Sequence, residues 1–128
     1  MVGCETADYL AQQGKDVTIV EMLRRTAQDV SPSARYFLRR RLKERDVKIL
    51  TSTSVKAITD VGVVISSEGE EQTLEPVDTV VLATGAKAVN DLAAVKELVP
   101  EAYVVGDAAS PGKILQAVQQ AVEVARSL

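Results

Sequence analysis

The first 21 residues of the chain, Met1–Glu21, read MVGCETADYLAQQGKDVTIVE and decide the fold. Small and apolar side chains recur there at the spacing of one helix face, namely at Ala7, Leu10 and Ala11. This spacing predicts a helix that begins near Gly3 and ends at Gly14, since glycine is common just past a helix end. Val17, Ile19 and Val20 then predict a short buried apolar strand with Glu21 at its carboxyl end.

Helix and strand together have the pattern of the second half of a dinucleotide-binding βαβ unit. A glycine at the start of such a helix lets the helix pack closely on a sheet, which is the role predicted for Gly3. An acid at the strand end accepts hydrogen bonds from the adenosine ribose, and Glu21, 18 residues after Gly3, fits that position. The alternative is a surface glutamate. No G-x-G and no apolar strand precede Gly3, so we expect the unit to lack its first strand.

Two arginines close behind the acid bear on the choice of cofactor. A guanidinium at Arg24 or Arg25 would hold the 2′-phosphate of NADP(H). The carboxylate of Glu21 would repel that phosphate and bond the free hydroxyl of NAD(H). The sequence therefore favours NAD(H), with NADP(H) as the alternative.

The next segment continues the α/β pattern. Ser31 and Pro32 are typical of a helix start, and the helix is expected to run to about Arg45. Its expected buried stripe comprises Tyr36, Phe37 or Leu38, and Leu42. The many basic residues outside that stripe are interpreted as a solvated helix face rather than a nucleic-acid-binding helix. Residues 46–51 are expected to form a second buried strand.

The periodicity then changes from helical to alternating, which predicts an antiparallel meander between residues 55 and 75, with turns at residues 60–62 and 68–71. Residues 77–82 are mostly apolar and are expected to form another buried strand. A short helix is expected at residues 90–98, a strand at residues 103–105, and a final helix from Pro111 or Lys113 to Ser127.

Two glycine-containing turns follow these expected strands and are candidate ligand contacts. The first is Ala83-Thr84-Gly85, where glycine lets the backbone approach a ligand. The second is Gly106-Asp107, just before the last helix. The alternatives are an ordinary strand end for the first turn and a helix cap at Asp107 for the second.

Three stretches carry a resemblance to a known family: VGCETADYLAQQGKDVTIVEML, DTVVLATGAK and YVVGDAASPGKILQAVQQAVEVARSL. Together they resemble the last part of the much longer 2,4-dienoyl-CoA reductase / trimethylamine dehydrogenase family of NADH:flavin oxidoreductases. The resemblance implies a three-layer, Rossmann-like FAD/NAD(P)-binding α/β domain with an antiparallel β-meander crossover. It implies an N-terminally truncated NAD(P)-binding domain at residues 1–102 and the C-terminal strand and helix of an FAD- or ADP-binding domain at residues 103–128.

The same resemblance implies cofactor contacts. The turn at residues 83–85 would close the nicotinamide domain, and Gly106-Asp107 would lie beside the FAD of the complete parent protein, or beside ADP in trimethylamine dehydrogenase. Many family members carry a cysteine after the Gly-Asp pair, where this chain has Ala108. The parent would pass hydride from NAD(P)H to FAD, whereas this portion alone is expected to be inactive.

Composition excludes several classes of protein. With no histidine and only Cys4, the chain alone has neither a metal site nor a Cys-His or Ser-His-Asp nucleophile system, and we assign no catalytic residue. Cys4 itself is interpreted as a small buried residue rather than a redox thiol. A net charge of −3 gives no reason to bind nucleic acid or an anionic membrane, and no apolar run is long enough to span a bilayer. A single cysteine fits a cytoplasmic location.

The expected loss of a central strand has a consequence for assembly. Exposed sheet edges are sites of pairing between chains, so we expect a homo-oligomer that associates through them. Two other classes stay open at this stage: a stand-alone NAD-binding module without redox chemistry, and a structural remnant of a truncated reading frame.

Overall fold

The computed structural model describes residues 1–128, which form two compact units, residues 1–83 and residues 84–128. The first unit contains two helices and five strands: α1 (Val2–Gln12), β1 (Thr18–Val20), α2 (Pro32–Glu44), β2 (Lys48–Leu50), β3 (Thr53–Ile58), β4 (Val63–Ser67) and β5 (Glu70–Leu74). The second contains two 3-10 turns, Ala93–Glu97 and Gly106–Ala108, and the helix α3 (Ile114–Ser127). The domain division between residues 102 and 103 stays a prediction.

A helix–strand–helix–strand run opens the first unit, as the sequence predicts. Gly14 follows α1 with a φ of +75°, a left-handed conformation that glycine adopts without steric cost. Ser31 caps α2, because its Oγ accepts a hydrogen bond of 3.3 Å from the backbone N–H of Ala34. β1 and β2 pair in parallel, with Ile19 opposite Ile49.

The core of this unit lies between the two helices and the parallel strand pair. Its buried members are Cys4, Ala7, Ala27, Leu38, Leu42 and Val47. The predicted stripe of α2 is confirmed at Leu38 and Leu42 and is wrong at Tyr36, which is 63% exposed. Successive helical residues are rotated by about 100°, so a helix that turns Leu38 and Leu42 inward points Tyr36 away from the core.

One buried acid connects the two helices. Asp8 of α1 is almost completely buried, and its Oδ2 accepts a hydrogen bond of 2.8 Å from Nε of Arg41. Nη1 of Arg45 lies 2.9 Å from the other carboxylate oxygen, an ion pair whose angles do not meet those of a hydrogen bond. These contacts neutralise a carboxylate that would be costly to bury alone.

The meander is confirmed as three antiparallel strands in the order β3-β4-β5. Ile65 on the central strand is fully buried and pairs with Val55 and Gln72. The β4–β5 turn passes through Gly69, whose φ is +90°.

Two predicted strands are wrong. Residues 77–82 and residues 103–105 form no strand, and Leu82 is 72% exposed. A strand is held by a hydrogen-bonded neighbour, and β1 is paired only with β2, so its other edge carries no strand that residues 77–82 could join. The helix predicted at residues 90–98 is a 3-10 turn at Ala93–Glu97.

The parallel pair with its helices and the antiparallel meander make the fold α/β and Rossmann-like, as predicted, with no strand on the outer edge of β1. Association of copies through that edge stays a prediction. No helix has both the length and the apolar character that crossing a membrane requires.

Candidate functional site

The first turn of α1 brings two of the predicted site residues together. A Cβ built on Gly3 would lie 2.9 Å from the Cβ of Ala83, closer than two such atoms approach in proteins. Only glycine therefore lets the start of α1 pass this close to residue 83. Residue 83 lies outside any strand, so this contact differs from the predicted packing of Gly3 on a sheet, and a role of Gly3 toward a cofactor stays a prediction.

Replacing Gly3 with alanine is expected to lower the free energy of unfolding by about 1–2 kcal/mol, because the new methyl group forces α1 and residue 83 apart. Helix propensity alone predicts the opposite sign, a gain of up to about 1 kcal/mol. Urea unfolding followed by circular dichroism measures the difference. The double variant Gly3→Ala/Ala83→Gly removes the clash and is expected to recover the loss, whereas a more stable single variant would contradict the close contact.

The same turn of α1 also holds the loop that follows β1. Cys4 is buried, and Thr26 in that loop is hydrogen bonded to it. Burial raises the pKa of the Cys4 thiol above its ordinary value, and the hydrogen bond from Thr26 opposes this only in part. Cys4 is therefore protonated at neutral pH, which agrees with its interpretation as a small buried residue rather than a redox thiol.

Glu21 lies directly after β1 and is fixed through its backbone. Its N–H donates to the carbonyl of Leu50 at 2.8 Å, and its carbonyl accepts from the N–H of Thr53 at 3.1 Å. Its side chain is half-buried, and Oε1 accepts a hydrogen bond of 3.0 Å from the N–H of Leu23. No group of the chain bonds Oε2, so one carboxylate oxygen is oriented and able to accept a hydrogen bond from a ligand.

Arg24 and Arg25 occupy the exposed part of the same loop. Neither guanidinium forms an ion pair with another residue of the chain. The loop backbone is held by a hydrogen bond of 3.1 Å from Nε2 of Gln28 to the carbonyl of Arg25. The two cations thus lie within four residues of Glu21, and their role toward a 2′-phosphate stays a prediction.

The remaining candidates belong to the second unit. Thr84 and Gly85 are exposed, and Gly85 has a φ of +96° with open space around it. Gly106 has a φ of +66°, and its N–H donates to Oε1 of Gln120 on α3 at 2.7 Å. Oδ1 of Asp107 accepts a hydrogen bond of 3.1 Å from the N–H of Gly112, so this side chain ties the turn to the approach to α3.

The structure therefore gathers Gly3, Ala83 and the loop after Glu21 around the first turn of α1 and places Gly106-Asp107 against α3. The contacts of Thr26 and Gln120 were not predicted. Each joins residues more than a dozen positions apart, and an isolated threonine or glutamine carries no sequence signal for such a partner. These side chains position the turns on which the predicted site residues lie.

A strand with an acid after it, preceded by a helix with a close-packed glycine and followed by a Ser-capped helix, is an arrangement found in dinucleotide-binding α/β proteins. Residues 1–124 match the pyridine nucleotide-disulphide oxidoreductase family, and the chain belongs to that family.

Three curated proteins are similar in sequence to this chain. A metal reductase of Desulforamulus reducens is 35% identical over 113 residues, which cover 88% of this chain and 17% of that protein. A cinnamate reductase of Clostridium sporogenes is 36% identical, with 100% of this chain and 20% of that protein covered. An NADH oxidase of Thermoanaerobacter brockii is 36% identical over 98% of this chain and 20% of that protein. The chain thus spans at most a fifth of the length of these relatives.

A solved structure agrees with the fold. The 2-naphthoyl-CoA reductase complex with 2-naphthoyl-CoA superimposes with a TM-score of 0.75 and 34% identity, over 91% of this chain and 18% of that chain. The match again covers only a small part of the larger protein.

Proposed function

We propose that this chain is the nicotinamide-dinucleotide-binding portion of an NAD(P)H-dependent flavin oxidoreductase resembling 2,4-dienoyl-CoA reductase. The observation that carries the proposal is the arrangement at the end of β1, where Glu21 has one carboxylate oxygen held by Leu23 and the other without a partner. Membership of the pyridine nucleotide-disulphide oxidoreductase family and similarity to an NADH oxidase support it. The resemblance to 2,4-dienoyl-CoA reductase is part of this proposal, which names no substrate for the parent enzyme.

The residues of the first unit fit the adenosine half of NAD(H). Oε2 of Glu21 would accept hydrogen bonds from the ribose hydroxyls, while the bond from Leu23 keeps the carboxylate in place. Gly3 would keep the start of α1 close to the cofactor. If NADP(H) is the cofactor, the guanidinium groups of Arg24 and Arg25 would bind its 2′-phosphate.

Hydride transfer is chemistry that NAD(P)H and FAD supply when bound, and the protein binds and orients them. This chain would therefore contribute by positioning the cofactors. The turn at residues 83–85 would border the nicotinamide domain, and Gly106-Asp107 would adjoin the FAD of the parent. The hydrogen bond from the N–H of Gly106 to Gln120 fixes this turn. Asp107 fits the role because one of its carboxylate oxygens accepts from Gly112 while the other has no partner in the chain. We assign no catalytic residue, and this portion alone is expected to be inactive.

Calorimetric titration of the purified chain with NADH, NADPH and FAD tests the proposal. Glu21→Ala is expected to weaken NADH binding about 10- to 100-fold, because hydrogen bonds to a charged group contribute about 1.5–3 kcal/mol each. The same substitution should weaken NADPH binding less, since it also removes a repulsive charge. Glu68→Ala, an exposed acid in the β4–β5 turn, is the matched control and should bind NADH as the native chain does. Equal affinities for NADH in the native chain and Glu21→Ala would refute the role of Glu21.

A further inference from the structure

The cations of α2 divide into two groups. The paired group comprises Arg41 and Arg45, the latter just past the helix end, which pair with the buried Asp8, and Arg40, which pairs with Glu44. Arg35, Arg39 and Lys43 form no ion pair with any residue of the chain. These three residues are spaced by four along the helix, so they lie on one face.

This unpaired face borders a groove of about 900 Å³. Its charged lining consists of Arg25, Arg35, Arg39, Arg40 and Lys43, with Asp46 as its only acid. Its apolar and aromatic lining consists of Pro32, Tyr36, Val47 and Ile49. Arg40 is bonded to Glu44 at 2.7 Å, which leaves four of the five cations unpaired. We refer to this feature as the α2 groove.

The charge arrangement favours an anion. Like charges four residues apart on a helix repel and destabilise it, and α2 carries two such pairs in Arg35–Arg39 and Arg39–Lys43. Four residues of helix rise about 6 Å, so the cations could contact successive phosphates of one ligand. The whole chain has a net charge of −3, so this positive potential is local to the groove.

The size and lining of the groove favour a small molecule over a polymer. A volume of about 900 Å³ is within the range of ligand sites, which combine apolar walls with a few polar groups. Guanidinium groups bind phosphate through paired N–H donors, and the exposed ring of Tyr36 offers a surface for stacking a planar base. We propose that the α2 groove is a second anion site that binds a nucleoside polyphosphate through the cations of α2, distinct from the ribose site at Glu21, with Arg25 as the one residue assigned to both.

The test is calorimetric titration of the full chain with ATP, with inorganic tripolyphosphate and with a single-stranded oligonucleotide, in about 0.15 M salt so that long-range attraction is screened. The double variant Arg39→Gln/Lys43→Gln is expected to weaken ATP binding at least tenfold. The control Lys15→Gln/Lys56→Gln removes the same charge from exposed positions outside the groove and should leave ATP binding unchanged. Circular dichroism confirms that both variants are folded.

The remaining arms separate this site from the dinucleotide site. Glu21→Ala is expected to leave ATP binding intact, so the failure of either proposal is visible without the other. If Glu21→Ala lost ATP binding while Arg39→Gln/Lys43→Gln kept it, ATP would bind at the dinucleotide site, and the proposal of a second site would be overturned. The proposal would also be overturned if the control variant weakened ATP binding equally. The same holds if tripolyphosphate bound as tightly as ATP, or if the oligonucleotide bound more tightly than ATP.

Discussion

Replacing Leu42 with alanine is expected to lower the free energy of unfolding by about 2–5 kcal/mol. Leu42 is 0% exposed and lies in the core cluster between α1, α2 and the parallel strands. Leu42 is the largest fully buried side chain of that cluster, and the other buried members are mostly small, so deleting its isobutyl group leaves a cavity that the surroundings fill only in part. A loss of this size is a large part of the usual stability of a domain, about 5–15 kcal/mol.

Urea unfolding followed by circular dichroism measures the effect of Leu42→Ala. Leu23→Ala makes the same chemical change at a side chain that is 50% exposed, and it is expected to cost less than about 1 kcal/mol. Similar losses in the two variants would mean that α2 does not pack on the core as described.

Replacing Asp8 with alanine is expected to destabilise the fold by about 1–3 kcal/mol. Removal of one partner from a buried ion pair leaves the other charge uncompensated, which costs about 3–5 kcal/mol when both are fully buried. The side chains of Arg41 and Arg45 are 45% and 30% exposed, so water recovers part of that cost.

The size of the Asp8 effect is measured by the same unfolding experiment. Asp16→Ala is the matched control, because Asp16 is exposed and its nearest cation, Lys48, lies 3.5 Å away in solvent. It is expected to unfold at nearly the same urea concentration as the native chain. If Asp8→Ala did the same, the contact between α1 and α2 would not depend on this carboxylate.

The elements that the sequence predicts well are those that depend on neighbouring residues. Alternation predicted the meander, Gly14 predicted the end of α1, and Ser31 predicted the start of α2, because each is a local preference of the backbone. Residues 77–82 and 103–105 are mostly apolar, yet neither segment forms the expected strand. Apolar composition cannot supply the hydrogen-bonded neighbour that a strand requires.

The candidate site was predictable to a similar extent. Spacing from Gly3 predicted Glu21, and the structure orients the carboxylate of Glu21 through Leu23. The hydrogen bonds of Cys4 with Thr26 and of Gly106 with Gln120 depend on how distant segments pack, so no local pattern in the sequence indicated them.

We expect the chain to bind NADH at the carboxyl end of β1. Amide chemical shifts of the full 128-residue chain, followed during an NADH titration, test this expectation residue by residue. The largest shifts are expected at Glu21, at Leu23, whose N–H bonds the Glu21 carboxylate, and at Gly3 in the first turn of α1. Shifts confined to the face of α2 that bears Arg39, or no shifts at millimolar NADH, would contradict this expectation.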